Sequence, residues 1–533
     1  MTSTRLRAPT AAPAAAAVGL LSMAAGLAVG HLVGALISPS ASPLLAVGAS
    51  AIDFTPTWLK DFAVRTFGNY DKVVLLSGMA VVIAVIGVVA GLISRRSRTP
   101  GLVLIVVLGV VAGVAVLTRP TAGPFDVLAP LAALITSAGT FAVLHRLGRL
   151  DYSRTGGYST TGGDSDTRNA TPAGDGSTGV PRRTLLAGSA VVAAGAGITA
   201  AAGQLVAGRS GVEASRQAVA RIMPTVPAPP IPPGADFATD GSPTFITPNR
   251  DFYRVDVNLT LPRLRAEDWR LHIHGMVDRD TTLSFSDLTT RTLIERPLTM
   301  TCVSNEVGGP YISTANFTGV LLADLLAEAG VQRGADQTFT TSVDGWTCGT
   351  PTAALTDPSR KAMLVIAMNG EPLPIEHGFP VRMVVPGLYG FVSGTKWITE
   401  LELTTFQARQ AYWLQRGWGQ RAPIRTMSRI DSPGPFERVS PDTPITGIAW
   451  AQTRGIDKVE VRIDHGAWQP TELSTEVSVD TWRMFRLRGR WAPGAHVAEV
   501  RATDKTGYTQ TKDRAAPIPD GATGWHSVQF TVQ

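Results

Sequence analysis

The sequence predicts a multi-domain chain: N-terminal transmembrane α-helices, then a mixed α+β domain, then an all-β sandwich. Three observations carry this expectation. Four long, nearly uncharged apolar runs occupy 13–37, 72–93, 101–118 and 127–145. From 245 onward, short alternating segments mix with a helical pattern, and beyond 406 short strand patterns follow one another without helices.

Each apolar run is long enough to cross a hydrocarbon core of about 30 Å as a helix. Successive uncharged runs in one chain argue for membrane spans over buried core helices. Arg5 and Arg7 precede the first run, Arg95, Arg96 and Arg98 separate the second from the third, and Arg146 and Arg149 follow the fourth. The positive-inside tendency then puts these loops and the amino terminus in the cytoplasm. Only His31 and His145 lie in or near the runs, too few for facing haem ligands, so 1–147 reads as an anchor in lipid, able to dock a cytochrome or quinone-linked subunit.

Residues 148–183, rich in Gly, Ser, Thr and Asp, cannot bury enough apolar surface to fold and read as a flexible cytoplasmic linker. The following Ala- and Gly-rich stretch, 184–208, is preceded by Arg182-Arg183. It is either a twin-arginine-type signal anchor or a fifth span flanked by positive-inside arginines. Both readings place everything after 208 outside the plasma membrane. In 209–244, the run Pro224-Thr-Val-Pro-Ala-Pro-Pro-Ile-Pro-Pro233 is expected to form a stiff extended spacer holding the folded part away from the lipid.

Within 245–405, Trp269–Gly275 and Lys396–Thr404 read as strands, and Gly319–Gly330 as a helix closed by Gly330. His272 and His274 share a strand face and read as ordinary strand residues, since no carboxylate or third imidazole accompanies them at ligand spacing. In 406–533 the segments 444–450, 458–464, 482–487, 496–501 and 527–532 are short strands between Gly, Pro and Asp turns, the pattern of an immunoglobulin-like β-sandwich. The net charge of +6 shows no interleaved basic and aromatic patch, so nucleic acid is not indicated.

The chain has two cysteines. Cys302 lies in Thr299-Met-Thr-Cys-Val-Ser-Asn-Glu-Val-Gly-Gly309, a polar, glycine-rich setting that suits a soft metal needing one thiolate. A bridge from Cys302 to Cys348 in an exported chain is the structural alternative. Downstream stand Asp344-Gly-Trp-Thr-Cys-Gly-Thr-Pro351, His377-Gly-Phe-Pro-Val-Arg382 with Val384-Val-Pro-Gly387, and Ser393-Gly-Thr-Lys-Trp397. Together these motifs resemble the molybdopterin-binding domain of the sulfite oxidase family, over about residues 245 to 405.

The resemblance implies a sulfite-oxidase-type α+β fold, a molybdenum-molybdopterin cofactor and Cys302 as metal ligand. It also implies cofactor contacts from His377, Arg382, Ser393 and Lys396, with Tyr253 and Arg254 lining the pterin and Asp344 accepting from its ring amines. In that family the following β domain pairs two subunits, so a homodimer is a further expectation.

Sulfite oxidases proper follow the cysteine with an Ala-Gly-Asn-Arg-Arg type segment and carry Arg-Asn-His on the strand that leads into the site. Here those places hold Val303-Ser-Asn-Glu-Val-Gly-Gly309 and Arg254-Val-Asp-Val257. The arginines expected to hold a sulfite dianion are missing, Trp346 takes the place of the family's active-site tyrosine, and the segment is closer to the bacterial branch that includes periplasmic sulfoxide reductases. Glu306 either exchanges protons near the metal or braces its loop. No haem-attachment, cluster-cysteine or nucleotide-loop motif occurs in the outer domain, so a separate electron-transfer partner is implied alongside a small-molecule substrate. The expected function is a membrane-anchored extracytoplasmic oxygen-atom transfer enzyme, sulfite oxidase-like or sulfoxide reductase-like. The alternative is a membrane-tethered binding or scaffold protein with a relic cofactor domain.

Overall fold

A computed structural model describes residues 12–533 apart from 39–40, 57–58, 60–61, 63–65, 68–70, 120–121, 156–180, 209–210, 220–221 and 258. Arg5, Arg7 and most of the expected linker therefore lie outside the described residues. Two compact units are formed, a helical one up to Ser210 and a second comprising Gly211–Val257 and Leu261–Gln533.

The helical unit contains α1 (Ala12–Ile37), α2 (Pro43–Phe54), α3 (Asp71–Ile93), α4 (Thr99–Leu117), α5 (Leu128–Thr155) and α6 (Pro181–Gly208). Four helical stretches, Ala12–Ile37, Lys72–Ile93, Thr99–Leu117 and Leu128–Leu147, are long and apolar enough to cross a membrane. Helix α3 reaches a mean hydropathy of 2.9 yet leaves Val81, Val82 and Val85 exposed, a surface suited to an apolar solvent. Glycines let α1 and α3 touch: a Cβ on Gly19 would lie 1.9 Å from the Gly87 carbonyl oxygen. His145 Nε2 bonds the Ser94 carbonyl at 2.8 Å, and His31 Nδ1 lies 3.2 Å from Ser42 Oγ. Two features depart from expectation. The short helix α2 was not anticipated, and α5 continues to Thr155, inside the stretch read as linker.

The second unit begins with α7 (Val212–Ala218) and proceeds through β1 (Arg270–Gly275), β2 (Thr281–Ser284), α8 (Phe285–Thr289), β3 (Ile294–Thr301), β4 (Ile312–Leu321) and α9 (Leu322–Ala329). Then come β5 (Gln337–Ser342), β6 (Thr347–Pro351), α10 (Thr352–Thr356), β7 (Met363–Met368), β8 (Glu371–Pro372), β9 (Arg382–Val384), α11 (Gly390–Ser393) and β10 (Ile398–Thr404). One sheet has the order β2-β1-β10-β5-β6, the other β3-β4-β7-β8 with β9 also on β7, and one core containing Trp269, Phe317, Leu326 and Ile366 serves both. Helix α9 starts later than the sequence suggested, because Gly319 belongs to β4: a Cβ there would sit 2.0 Å from the Leu364 carbonyl oxygen across the sheet. Gly330 closes it at φ +73, as expected.

The C-terminal region holds β11 (Met427–Ser432), β12 (Arg438–Val439), β13 (Ile445–Trp450), β14 (Ile456–Ile463), β15 (Gln469–Pro470), β16 (Glu472–Leu473), β17 (Arg483–Leu487), β18 (Gly494–Asp504) and β19 (His526–Val532). They form two sheets, β11-β13-β17-β16 and β12-β19-β18-β14-β15, around a shared core that includes Ile445, Phe485, Val461, Val500 and Phe530.

The proline-rich segment is not a free spacer. Val226 adds to the edge of β3, its N–H donating to Leu293 O at 2.9 Å while Glu295 N–H donates to Val226 O at 2.8 Å. Phe237 and Phe245 further along are buried with Trp450, Trp482 and Met484 of the C-terminal sheets. An extended proline-rich strand still offers carbonyls and occasional N–H groups, and an uncovered sheet edge accepts them.

Candidate functional site

Cys302 follows β3 directly. Its N–H donates to Tyr311 O at 3.0 Å, which closes the 302–311 loop at its base. Asn305, buried at 7% exposure, tightens the loop: its N–H donates to Cys302 O at 3.1 Å and its side-chain oxygen accepts from Tyr311 N at 2.8 Å. The Cys302 sulfur lies 2.9 Å from Ser304 Oγ. Burial pushes the thiol above its usual pKa, and the Ser304 contact opposes that. Both cysteines are free, with Cys348 fully buried in β6, so the bridge alternative is not realised. Among the described residues, no group of three or more His, Cys, Asp or Glu gathers at metal-binding distance. A single-thiolate centre completed by a cofactor's own donors is compatible with that arrangement.

A buried cationic cluster lies within the same unit. His377 is 3% exposed, and its Nε2 meets Asn249 O at 3.2 Å, which fixes the proton on Nε2. Burial first, then Arg382 and Lys396, lower its pKa to about 3, so the ring is neutral at ordinary pH. Arg382 donates from Nη1 to His377 O at 3.1 Å, whereas its buried Nε has no hydrogen-bond partner. Desolvation lowers Arg382 to about 10. Lys396 donates to Asp256 Oδ2 at 3.3 Å and Glu376 O at 3.1 Å, and desolvation brings it to about 8. Arg254 reaches the same Asp256 oxygen at 2.7 Å.

Lys396 and Arg254 thus share one carboxylate, Arg382 lies close enough to Lys396 to act on it electrostatically, and one buried Arg382 N–H is unpaired. This composition calls for an anion, and the phosphate of a pterin cofactor meets the need. The residues present fit the group.

The other expected residues divide. Tyr253 joins the two halves: its pKa is raised by burial and by the nearby Cys302 sulfur, with Arg382 opposing, and its ring stacks on Phe252 at 5.4 Å. Phe252 in turn packs edge-on against His377 at 5.3 Å. Asp344, raised by burial, accepts from Trp346 N at 3.0 Å and interacts electrostatically with Lys396 and Asp256. Trp346 itself is half-buried on the α+β core in the turn between β5 and β6. Ser393 directs its hydroxyl to the Leu388 and Tyr389 carbonyls at 2.9 and 3.0 Å, so only its backbone is left for a ligand. Glu306 is exposed, and its carbonyl accepts from Gly309 N at 2.9 Å.

Sequence reasoning missed Asp256 and Asn249, which anchor Lys396 and His377. Asp256 had a signal, since Arg254 and Asp256 two apart in an extended segment face the same way. His272 and His274 are strand neighbours as expected; their rings stack at 4.4 Å and His272 meets Asp280 at 2.6 Å.

Residues 258–413 match the model of the oxidoreductase molybdopterin binding domain. Mitochondrial sulfite oxidase of Homo sapiens is 29% identical over 343 residues, covering 54% of this chain and 62% of its own length. The same enzyme of Macaca fascicularis is 30% identical with the same coverage. The NADPH nitrate reductase of Emericella nidulans is 34% identical over 183 residues, 30% of this chain and 21% of its own length. Among solved structures, the sulfane dehydrogenase SoxCD from Paracoccus pantotrophus aligns over 57% of this chain and 88% of its own at 22% identity and a TM-score of 0.48. The chain thus spans less than two thirds of the mammalian sulfite oxidases it matches, 62% for the human enzyme.

Fold, site and matched domain define the class, a molybdopterin-dependent oxidoreductase domain whose cofactor is molybdenum-molybdopterin. Over residues 258–413 the chain carries that domain, and it is similar to the sulfite oxidases.

Proposed function

We propose that this chain is a membrane-anchored, extracytoplasmic enzyme performing two-electron oxygen-atom transfer on a small oxo or sulfur compound. The observation that carries the reading is the buried pair of cations Arg382 and Lys396 beside the neutral His377 ring, in the same unit as the Cys302 thiol and linked to it through Tyr253.

When bound, the cofactor supplies the oxygen-atom transfer, with water as source or sink. Cys302 provides the thiolate, and Ser304 stabilises its negative charge by a hydrogen bond. Arg382 and Lys396 hold the phosphate, Arg382 through the N–H that is otherwise unpaired. His377 stays neutral and orients its ring through Asn249. Asp344 accepts from the pterin amines. Glu306 braces the cysteine loop through its backbone and is exposed, which places it better for exchanging protons with solvent than for holding the cofactor.

Arg254 is tied to Asp256, and no arginine follows Cys302 before Gly309. A sulfite dianion would lack the converging guanidinium groups it needs, which favours a substrate of lower charge, such as a sulfoxide. Electrons pass to or from a separate carrier. The four apolar helices support an anchor, Arg182-Arg183 and the arginine-flanked helix ends support an extracytoplasmic second unit, and the two C-terminal sheets support an immunoglobulin-like, subunit-pairing domain. A scaffold role is not favoured, because a relic domain would have no use for cations buried together.

The test is molybdenum content of the chain matured through its own export route. About one molybdenum per chain is expected in the parent and in Cys348→Ser, with an altered metal spectrum or lost metal in Cys302→Ser. Metal-free parent protein would overturn the proposal.

A further inference from the structure

Strand β3 is the edge of its sheet, and its outward backbone groups lie at alternate residues. At one end, Glu295 N–H and Leu293 O are covered by Val226. Pro297, next in the alternation, has no N–H to satisfy. At the end nearest Cys302, the outward backbone groups of Thr299 are held by the C-terminal domain, while its hydroxyl also meets Thr314 of β4. Its N–H donates to Asp480 O at 3.1 Å, its carbonyl accepts from Gln452 Nε2 at 3.1 Å, and its hydroxyl accepts from Trp482 N at 2.7 Å. Arg296 on the same strand pairs with Asp480, whose other oxygen accepts from Thr453 N at 3.1 Å.

The far side of the cysteine loop is held by the same domain. Arg429 of β11 donates from Nη1 to Gly309 O at 2.8 Å and is itself steadied by Asp431 at 2.7 Å. The His526 ring lies against Gly308: a Cβ on Gly308 would come within 2.2 Å of Nε2. His526 Nδ1 accepts from Ile430 N at 3.0 Å, so that ring is also fixed.

We infer that Gln452 and Arg429 are positioning residues for Cys302: the C-terminal sheets clamp the cysteine loop on both sides and set where its sulfur stands. This rests on Cys302 being the metal ligand. The clamp itself is testable without the metal. A thiolate that must meet a rigid cofactor needs its backbone fixed from outside a ten-residue polar loop, and the α+β domain fixes only the loop's base.

The experiment is timed alkylation of Cys302 by iodoacetamide in cofactor-free full chain, read by mass spectrometry, with fully buried Cys348 as internal reference. Gln452→Ala and Arg429→Gln are expected to raise the Cys302 rate by about tenfold, the loss of one hydrogen bond, charge-assisted for Arg429, from a locally opening loop, while Cys348 stays unreactive. Arg486→Gln, on β17 of the same domain, breaks ion pairs with Glu472 and with Asp240 of the proline-rich segment; it is the control and should leave Cys302 unchanged. Unchanged Cys302 reactivity in both clamp variants overturns the inference, as does an equal rise in Arg486→Gln. In metal-loaded protein the same two variants should broaden the metal's paramagnetic signal. Metal-free parent protein with the alkylation result intact would sink the proposed function and leave the clamp standing.

Discussion

Replacing Lys396 by Met keeps the length of the side chain and removes its charge. The ammonium is mostly buried, its side chain 12% exposed, and it stands 3.3 Å from Asp256. At an effective dielectric near 20 that pair is attracted by about 5 kcal/mol, most of which offsets desolvation of the two ions. Asp256 keeps Arg254 at 2.7 Å after the change, so the fold should lose only about 1–2 kcal/mol. Anion binding should suffer more, because a charge-assisted contact is lost: about 10- to 100-fold in affinity. The assay is calorimetric titration of cofactor-free full chain with sulfate, whose charge is constant over the range used. Since the Lys396 pKa is brought to about 8, the parent should also bind sulfate less well as pH rises through that value, and Lys396→Met should lack this step. Equal sulfate affinity in parent and variant, with exposed Lys458→Met as control, would refute the assignment of this cluster to an anion.

Further outcomes follow from the same geometry. Gly308→Ala forces a side chain into a backbone at φ +82 and against His526, so it should destabilise the chain by about 1–3 kcal/mol and lower metal occupancy. An unchanged melting temperature would show that the loop is free to move. His377 and His526 have folded pKa values of about 3 and 4, both below the 6.5 of an unperturbed histidine. The unfolded chain therefore binds more protons below 6.5, and stability should fall as pH drops from there towards 4 and then 3. A cofactor-free melting temperature that stays level across that window would contradict the buried, neutral state of both rings. His526→Gln should remove the part lost nearest pH 4.

Much of this protein was legible in its sequence because the relevant signals are local. The four apolar runs, the strands at 270–275 and 398–404 and the turn glycine at 330 each follow from composition or period within a short window. The cysteine, histidine, arginine and lysine of the site were legible as a motif in order along the chain. The boundary of α9 was misplaced because Gly319 looks like a helix start locally, while its real constraint is the Leu364 carbonyl across the sheet. The proline-rich segment misled for a related reason: its stiffness is local, but whether it stands free depends on the open edge of β3.

The sequence by itself determined which residue types the chemistry has available: one thiol on a polar loop, a set of cations, and apolar helices to accompany them. Tertiary structure decided how they work together. It tied Lys396 and Arg254 to Asp256, left one Arg382 N–H unpaired in the interior, turned the Ser393 hydroxyl away, and brought Gln452 and Arg429 from more than a hundred residues downstream to hold the loop of Cys302. Charge pairing and edge covering act over a few ångströms in space and are indifferent to distance along the chain, so no reading of local pattern could have supplied them.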